Sequence, residues 1–141
     1  MKKSNISNYL QLAAQAAMPT DNCDMREFWI GCVGIRTDGA VIISKNSSIY
    51  TTDVGDNFQI IPMVHAEPRA LRKLNWGSIM FVARVMRNNN EYGMARPCPT
   101  CQIFIKSKGI KKVYYTINSK FYGVFYPKSD TDRIFKIRGI Q

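Results

Sequence analysis

Two short stretches, His65-Ala66-Glu67-Pro68 and Pro97-Cys98-Pro99-Thr100-Cys101, constrain this chain more than any other part of it. Together they read H-A-E … P-C-x-x-C, and each residue type has a separate chemical task. A neutral imidazole and two thiolates make three protein ligands for zinc, and a catalytic zinc keeps its fourth tetrahedral position for water. Zinc held this way brings the pKa of that water down to roughly 7, so hydroxide is available at neutral pH. Glu67, two residues past the histidine, is left over as a carboxylate beside the metal. A proton shuttle is needed there. Any fold for this chain must therefore bring His65, Cys98 and Cys101 to one point.

The spacing suits two helix starts. Pro68 fits the first turn of a helix, where a missing N–H costs nothing, and Ala70, Leu71 and Leu74 then supply an apolar stripe. Pro99 does the same for a second helix that carries residues 102–108 and ends at Gly109. Cys98 and Cys101, three apart, share one face of its first turn. Both helices then aim their positive ends at the metal, where thiolate and hydroxide are favoured. C-x-x-C by itself also marks redox motifs and structural zinc knuckles. A structural four-cysteine site would want a second C-x-x-C, and the chain has none. His65 is the chain's one histidine; alone it would more often be structural, and its companions reverse that expectation.

The combination H-x-E … P-C-x-x-C resembles the signature of the zinc-dependent cytidine and deoxycytidylate deaminase superfamily. The run ARPCPTCQIFIKSKGIKKVYYT is similar to that family's cysteine helix, Gly-Ile turn and following strand. Small phage-type members of the deoxycytidylate and transfer-RNA-adenosine branch resemble it most. The resemblance spans residues 29–116 and implies an α/β, three-layer sandwich: a mixed five-stranded sheet with helices on both faces. It implies zinc (Zn2+) held by His65, Cys98 and Cys101. Glu67 competes between a surface helix residue, a fourth metal ligand and the catalytic proton shuttle; its offset from His65 and the family pattern favour the shuttle.

The reaction the resemblance implies is attack of hydroxide on C4 of cytosine, the ring carbon bearing the amino group. Glu67 would carry the water's proton to the ring nitrogen and later protonate departing ammonia. The family pattern also implies that the backbone N–H of Ala66 holds the base carbonyl and the carbonyl of Arg96 receives the exocyclic amine. Asn46, at the end of the second strand, would hydrogen-bond the sugar. The family's glycine–aromatic pair before it is replaced here by Ser44-Lys45. An asparagine there also suits a turn for backbone reasons.

With 141 residues, 45% of them hydrophobic and 21% charged, the chain reads as one soluble deaminase domain over residues 1–141. No apolar run approaches the ~20 residues of a membrane span. Met1-Lys2-Lys3 and the later Ala16-Ala17 hint at a secretory signal, but Asn5, Asn8, Gln11 and Gln15 interrupt its apolar centre. A cytoplasmic, reducing location follows, which the metal cysteines also want. Cys23 and Cys32 could pair only in an oxidising compartment and are expected as thiols that pack like small hydrophobes.

Along the chain, residues 4–18 read as an amphipathic helix with Ser4 or Asn5 as cap and Ile6, Leu10, Ala13, Ala14 and Ala17 at helical spacing. Residues 28–36 and 40–44 are β-rich runs around Thr37-Asp38-Gly39, a hairpin signal. Residues 45–64 form a long polar loop of the kind that is usually functional or mobile. Residues 78–87 make a further strand, and residues 92–95 return briefly after a turn at Asn88-Asn89-Asn90. Residues 113–117 and 121–126 are strands joined by three residues, Asn118-Ser119-Lys120. A parallel pair needs a crossover of a dozen or more residues, so these two, the fourth and fifth of the sheet, should be antiparallel. That matches the free-nucleoside branch of the superfamily, not the polynucleotide-editing branches. The tail from Lys128 has no periodicity that assigns it.

The net charge of +10 is uneven. Residues 1–68 hold five Lys/Arg against seven Asp/Glu, whereas residues 69–141 hold fifteen against three, −2 against +12. A basic half attracts phosphates. Tyr114, Tyr115, Phe121, Tyr122, Phe125 and Tyr126 interleave with Lys120 and Lys128, as in a groove that stacks single-stranded bases, and Tyr115 is the candidate substrate contact among them. Alternating aromatics in strands are, however, more often core. Three functions are thus open. The chain could deaminate cytosine in a single-stranded polynucleotide, DNA in the first instance, with adenosine in transfer RNA a minor variant. It could act on free (deoxy)cytidine or its monophosphate. It could be a silent zinc-folded binding protein, against which an intact Glu67 argues. The charge and the aromatics favour the first.

Overall fold

Residues 2–19, 28–46 and 70–137 are described by the structure, a computed structural model. In chain order they form α1 (Lys3–Ala17), β1 (Trp29–Ile35), β2 (Val41–Lys45), β3 (Ile79–Val85), β4 (Tyr92–Gly93), α2 (Pro99–Ser107), β5 (Lys112–Thr116), β6 (Phe121–Tyr126) and β7 (Thr131–Lys136). The central strands are nearly continuous apolar runs, as strands buried on both faces must be. Alternate side chains along them feed two separate cores. On one face Cys32, Met80, Val82, Val113, Tyr115 and Phe125 join Cys101 and Ile105 of α2 and the buried Ala70, Leu71 and Leu74. On the other, Val33, Phe81, Ala83, Val85, Tyr114, Tyr122 and Val124 meet Ile6, Leu10, Ala13, Ala14 and Ala17 of α1. Helical residues thus cover both faces, which gives the expected three layers.

Among the described residues the sheet has seven strands, not five, in the order β2-β1-β3-β5-β6-β7, with β4 beside β3. Only β3 and β5 run parallel; every other neighbouring pair is antiparallel. The short-gap pair joins Val113 to Phe125 and Thr116 to Tyr122 in antiparallel register, but it is β5 and β6, not the fourth and fifth strands. The two additions have physical reasons. Asn90 adopts a left-handed φ of 58° and its N–H bonds Met86 O at 2.8 Å, which turns the chain back for the two residues of β4. Asp130, at φ 55°, donates its N–H to Tyr126 O at 2.9 Å and launches β7. β7 is an edge strand with almost every residue exposed, so it carries no apolar alternation.

Other boundaries shift for simple reasons. α1 begins at Lys3 with Lys2 as its N-cap, so Ser4 and Asn5 lie inside the first turn and do not cap it. Helical backbone at Ala70 and Leu71 gives way to a turn, in which Lys73 and Leu74 N–H groups bond the Ala70 and Leu71 carbonyls; the start of the expected histidine helix lies outside the described residues. Leu74 is nonetheless buried, from the turn that follows. Gly39 takes the left-handed φ of 89° that the Asp38-Gly39 turn requires. The expected polar loop lies within described residues only at Lys45 and Asn46.

Gly31 marks the closest approach between α1 and the sheet. A Cβ there would stand 1.9 Å from the Ala13 carbonyl oxygen and 2.8 Å from the Ala17 nitrogen, both backbone. Gly31→Ala is expected to destabilise the fold by about 3 kcal/mol, since neither atom can swing aside. A shift of the urea midpoint at unchanged slope would show it; an unchanged midpoint would mean that α1 moves freely on the sheet.

Candidate active site

The cysteine half of the site is built by the start of α2. Cys98 is its N-cap in extended backbone, φ −66° and ψ 161°, Pro99 is its first residue, and Cys101 follows at the third helical position. Cap and third residue are the two positions a capping box brings together, so the spacing that defines C-x-x-C turns both thiols toward one side. Cys101 is fully buried and Cys98 is half-buried against the same core cluster. The Cys98 side chain makes no capping hydrogen bond to the helix, and Gln102 turns back and donates its Nε2 to Pro97 O at 2.7 Å. Two sulfurs at the positive end of a nine-residue helix fit a thiophilic cation. Ala70, five residues past His65, lies in the same buried cluster as Cys101. His65, Ala66 and Glu67 themselves lie outside the described residues.

The segment that leads into Cys98 is anchored at two levels. The buried hydroxyl of Thr116 accepts the Arg84 N–H at 3.1 Å and donates to Gly93 O at 2.8 Å, while Thr116 O accepts the Ala95 N–H at 2.8 Å. One step on, the Arg96 guanidinium grips Asp132 of β7 with two parallel bonds, Nε to Oδ2 at 3.0 Å and Nη2 to Oδ1 at 2.8 Å. The Tyr115 hydroxyl donates to Asp132 Oδ2 at 2.5 Å. Arg96 also lies over the Phe125 ring, 5.4 Å from its centroid. The Arg96 bonds hold the Asp132 carboxyl below the usual carboxylate range, and the same carboxylate raises the Arg96 pKa.

Tyr115, expected as a substrate contact, is only 3% exposed. Its ring lies over Gly123, the residue opposite it on β6, where a Cβ would stand 2.2 Å from Cζ. That passage lets the hydroxyl reach β7, and it leaves no open ring face for a base. Tyr114, Tyr122 and Phe125 are equally buried, while Phe121 is 38% exposed, so the interleaved aromatics are mainly core and not a stacking groove. Asn46 sits at the end of β2 as expected. Its amide spans the neighbouring strand, accepting the Ile30 N–H at 3.0 Å and donating to Phe28 O at 2.6 Å, which is the backbone role an asparagine can play there. Asp132 and Thr116 are the residues that sequence reasoning missed. The one available signal was that Asp130 and Asp132 are the last acids of a strongly basic half.

Burial, and then the bond to Asp132, push the Tyr115 phenol up to about 12, and burial raises Tyr92, Tyr114 and Tyr122 as well. An unfolded tyrosine ionises near 10, so the unfolded chain loses these protons first. Tyr115's contribution is therefore fully present below pH 10 and disappears as pH rises through about 12, with a size on the order of 2 kcal/mol. Stability measured by urea from pH 9 to 12 should fall accordingly, and Tyr115→Phe should flatten part of that fall. A wild-type curve that is level across this range would contradict it.

A profile of the family described as "Cytidine and deoxycytidylate deaminase zinc-binding region" matches residues 3–117, more than half of the chain. Among solved structures, the cytidine deaminase from Burkholderia pseudomallei is similar at 15% identity, with a TM-score of 0.53 over 97% of this chain and 94% of that one. No curated protein matches in sequence. Among the described residues no helix is long and apolar enough to cross a membrane. With the two cysteines at one helix start, on a sheet like that of a cytidine deaminase, the matched residues settle the ancestry: this chain belongs to the cytidine and deoxycytidylate deaminase family, a zinc-dependent hydrolase that deaminates cytosine.

Proposed function

We propose that the substrate is a free pyrimidine nucleoside or nucleotide, cytidine or deoxycytidine or its monophosphate, handled by one domain over residues 1–141. The antiparallel β5–β6 pair carries this proposal, since it is the arrangement expected of the free-nucleoside branch. Burial of Tyr114, Tyr115, Tyr122 and Phe125 supports it, because a base-stacking surface loses most of its rings. The similar Burkholderia pseudomallei protein is itself a cytidine deaminase. A second reading, cytosine in single-stranded DNA, keeps one specific support. The half from residue 69 onward carries +12, a charge that attracts phosphates, although Arg96 pairs with Asp132 and Lys106 with Asp130. A reducing, cytoplasmic compartment suits thiols reserved for a metal.

In the proposed site His65, Cys98 and Cys101 would hold the zinc, which would supply a water-derived nucleophile near neutral pH. Glu67 takes a proton from the attacking water and passes it to the ring nitrogen, then takes the second proton from the new C4 hydroxyl and gives it to the amino group as its bond to C4 breaks. The Ala66 N–H orients the base through its carbonyl, and the Arg96 carbonyl accepts from the exocyclic amine. Asn46, at the end of β2, is the proposed sugar contact. Cytosine and water become uracil and ammonia. Incubating the protein with deoxycytidine, deoxycytidine monophosphate and a cytosine-containing oligonucleotide, with uracil quantified in each, tests the substrate class. Uracil in the monomers supports the proposal; uracil in the oligonucleotide alone replaces it with the second reading.

A further inference from the structure

Three side chains from three parts of the fold converge just ahead of Cys98. Arg96 belongs to the segment itself, Tyr115 to β5 and Asp132 to β7. Asp132 shares its register position with Phe125, and Phe125 with Val113, which puts its side chain on the α2 face of the sheet. Cys101 needs no such help, since it lies within the helix and is itself fully buried. Arg96 does, because it precedes the helix and is separated from the Cys98 cap, whose carbonyl already accepts the Gln102 N–H at 2.9 Å, by Pro97, which has no N–H to bond. The Thr116 anchors stop at Ala95, and the Gln102 bond begins at Pro97. Between these, the described bonds to Arg96 that fix it are those made by its guanidinium.

We propose that Asp132 is a positioning residue for the deamination. Steadied by Tyr115, it holds Arg96 and thereby fixes the carbonyl that receives the substrate amine and the backbone that presents Cys98. This rests on the proposed role of the Arg96 carbonyl. A bidentate, charge-assisted clamp suits the task, because two parallel bonds fix the orientation of the guanidinium as well as its distance. The Asp132 side chain is 24% exposed and that of Arg96 40%, so the clamp adds little to global stability while it restrains one short segment. An error of about 1 Å in placing a reacting group is enough to lower a rate by up to about a hundredfold.

The test is a double-mutant cycle of Asp132→Asn and Arg96→Ala in the zinc-loaded enzyme. It is read as kcat and KM on the monomer substrate per bound zinc, with hydrogen exchange of the peptide covering residues 93–98. Asp132→Asn is expected to lower kcat about tenfold with KM changed less than about threefold, and to speed exchange in that peptide alone. In the Arg96→Ala background the same substitution should have no further effect. Additive losses, or an unchanged kcat per zinc, would overturn the proposal. If the wild type itself bound no zinc or released no ammonia, the proposed function would fail separately. The exchange measurement would still judge the clamp, because it requires neither.

Discussion

Glu67→Gln is expected to leave zinc bound and the fold intact while ammonia release falls by about 10⁴-fold, the upper end of what a positioned acid–base group contributes. Glutamine keeps the size and the hydrogen-bonding reach of the side chain but cannot carry a proton. The proposed reaction asks the carboxylate to accept a proton twice, from the attacking water and then from the new C4 hydroxyl, and to deliver it each time, so no single step survives the change. Metal analysis and a coupled ammonia assay on the same sample give the two readouts. Zinc retained with turnover retained would move the shuttle to another group. Zinc lost would make Glu67 a ligand, the competing role left open by its place two residues after His65.

Cys101→Ala should remove the metal and much of the stability together. The side chain is fully buried in the cluster that joins α2 to Ala70, Leu71 and Leu74, and it occupies the helical position paired with the Cys98 cap. Metal binding to the native state alone is linked to folding, and at free zinc about a thousandfold above Kd it contributes about 4 kcal/mol. For a chain of this size that corresponds to a Tm lower by about 10 °C. Cys98→Ala should bring zinc content equally close to zero with a smaller loss from packing, because Cys98 is only half-buried. Wild-type protein stripped by a chelator should melt near Cys98→Ala. A Cys101→Ala protein that kept stoichiometric zinc would remove it from the ligand set.

What could be read from the sequence divides along a physical line. The cysteine helix was legible to within a residue, because Pro99 fixes its start and Gly109, at φ 72°, lies just past its end. The face of α1 was legible too: Ile6, Leu10, Ala13, Ala14 and Ala17 are all buried, and hydrophobic spacing is what burial selects. The β5–β6 hairpin followed from loop length alone. The aromatics of those strands misled, since Tyr115 and Tyr122 have the same composition in a core as in a stacking groove, and only burial separates the two. Asp132 was invisible for the opposite reason. Its strand is exposed at the edge and bears no pattern, and its partner Arg96 lies far away in sequence. Long-range polar pairs leave no periodicity.

The sheet also works as a partition. On the side away from Cys101, rings run from Tyr9 of α1 through Phe81, Tyr114 and Tyr122 to Phe135 at centroid spacings of 4.9 to 6.4 Å. Substitutions in that aromatic file and substitutions around Cys101 touch different cores, so their free energies should combine nearly additively. A laboratory seeking a hardier catalyst can therefore tune one side of the molecule while leaving the chemistry of the other to be altered on its own.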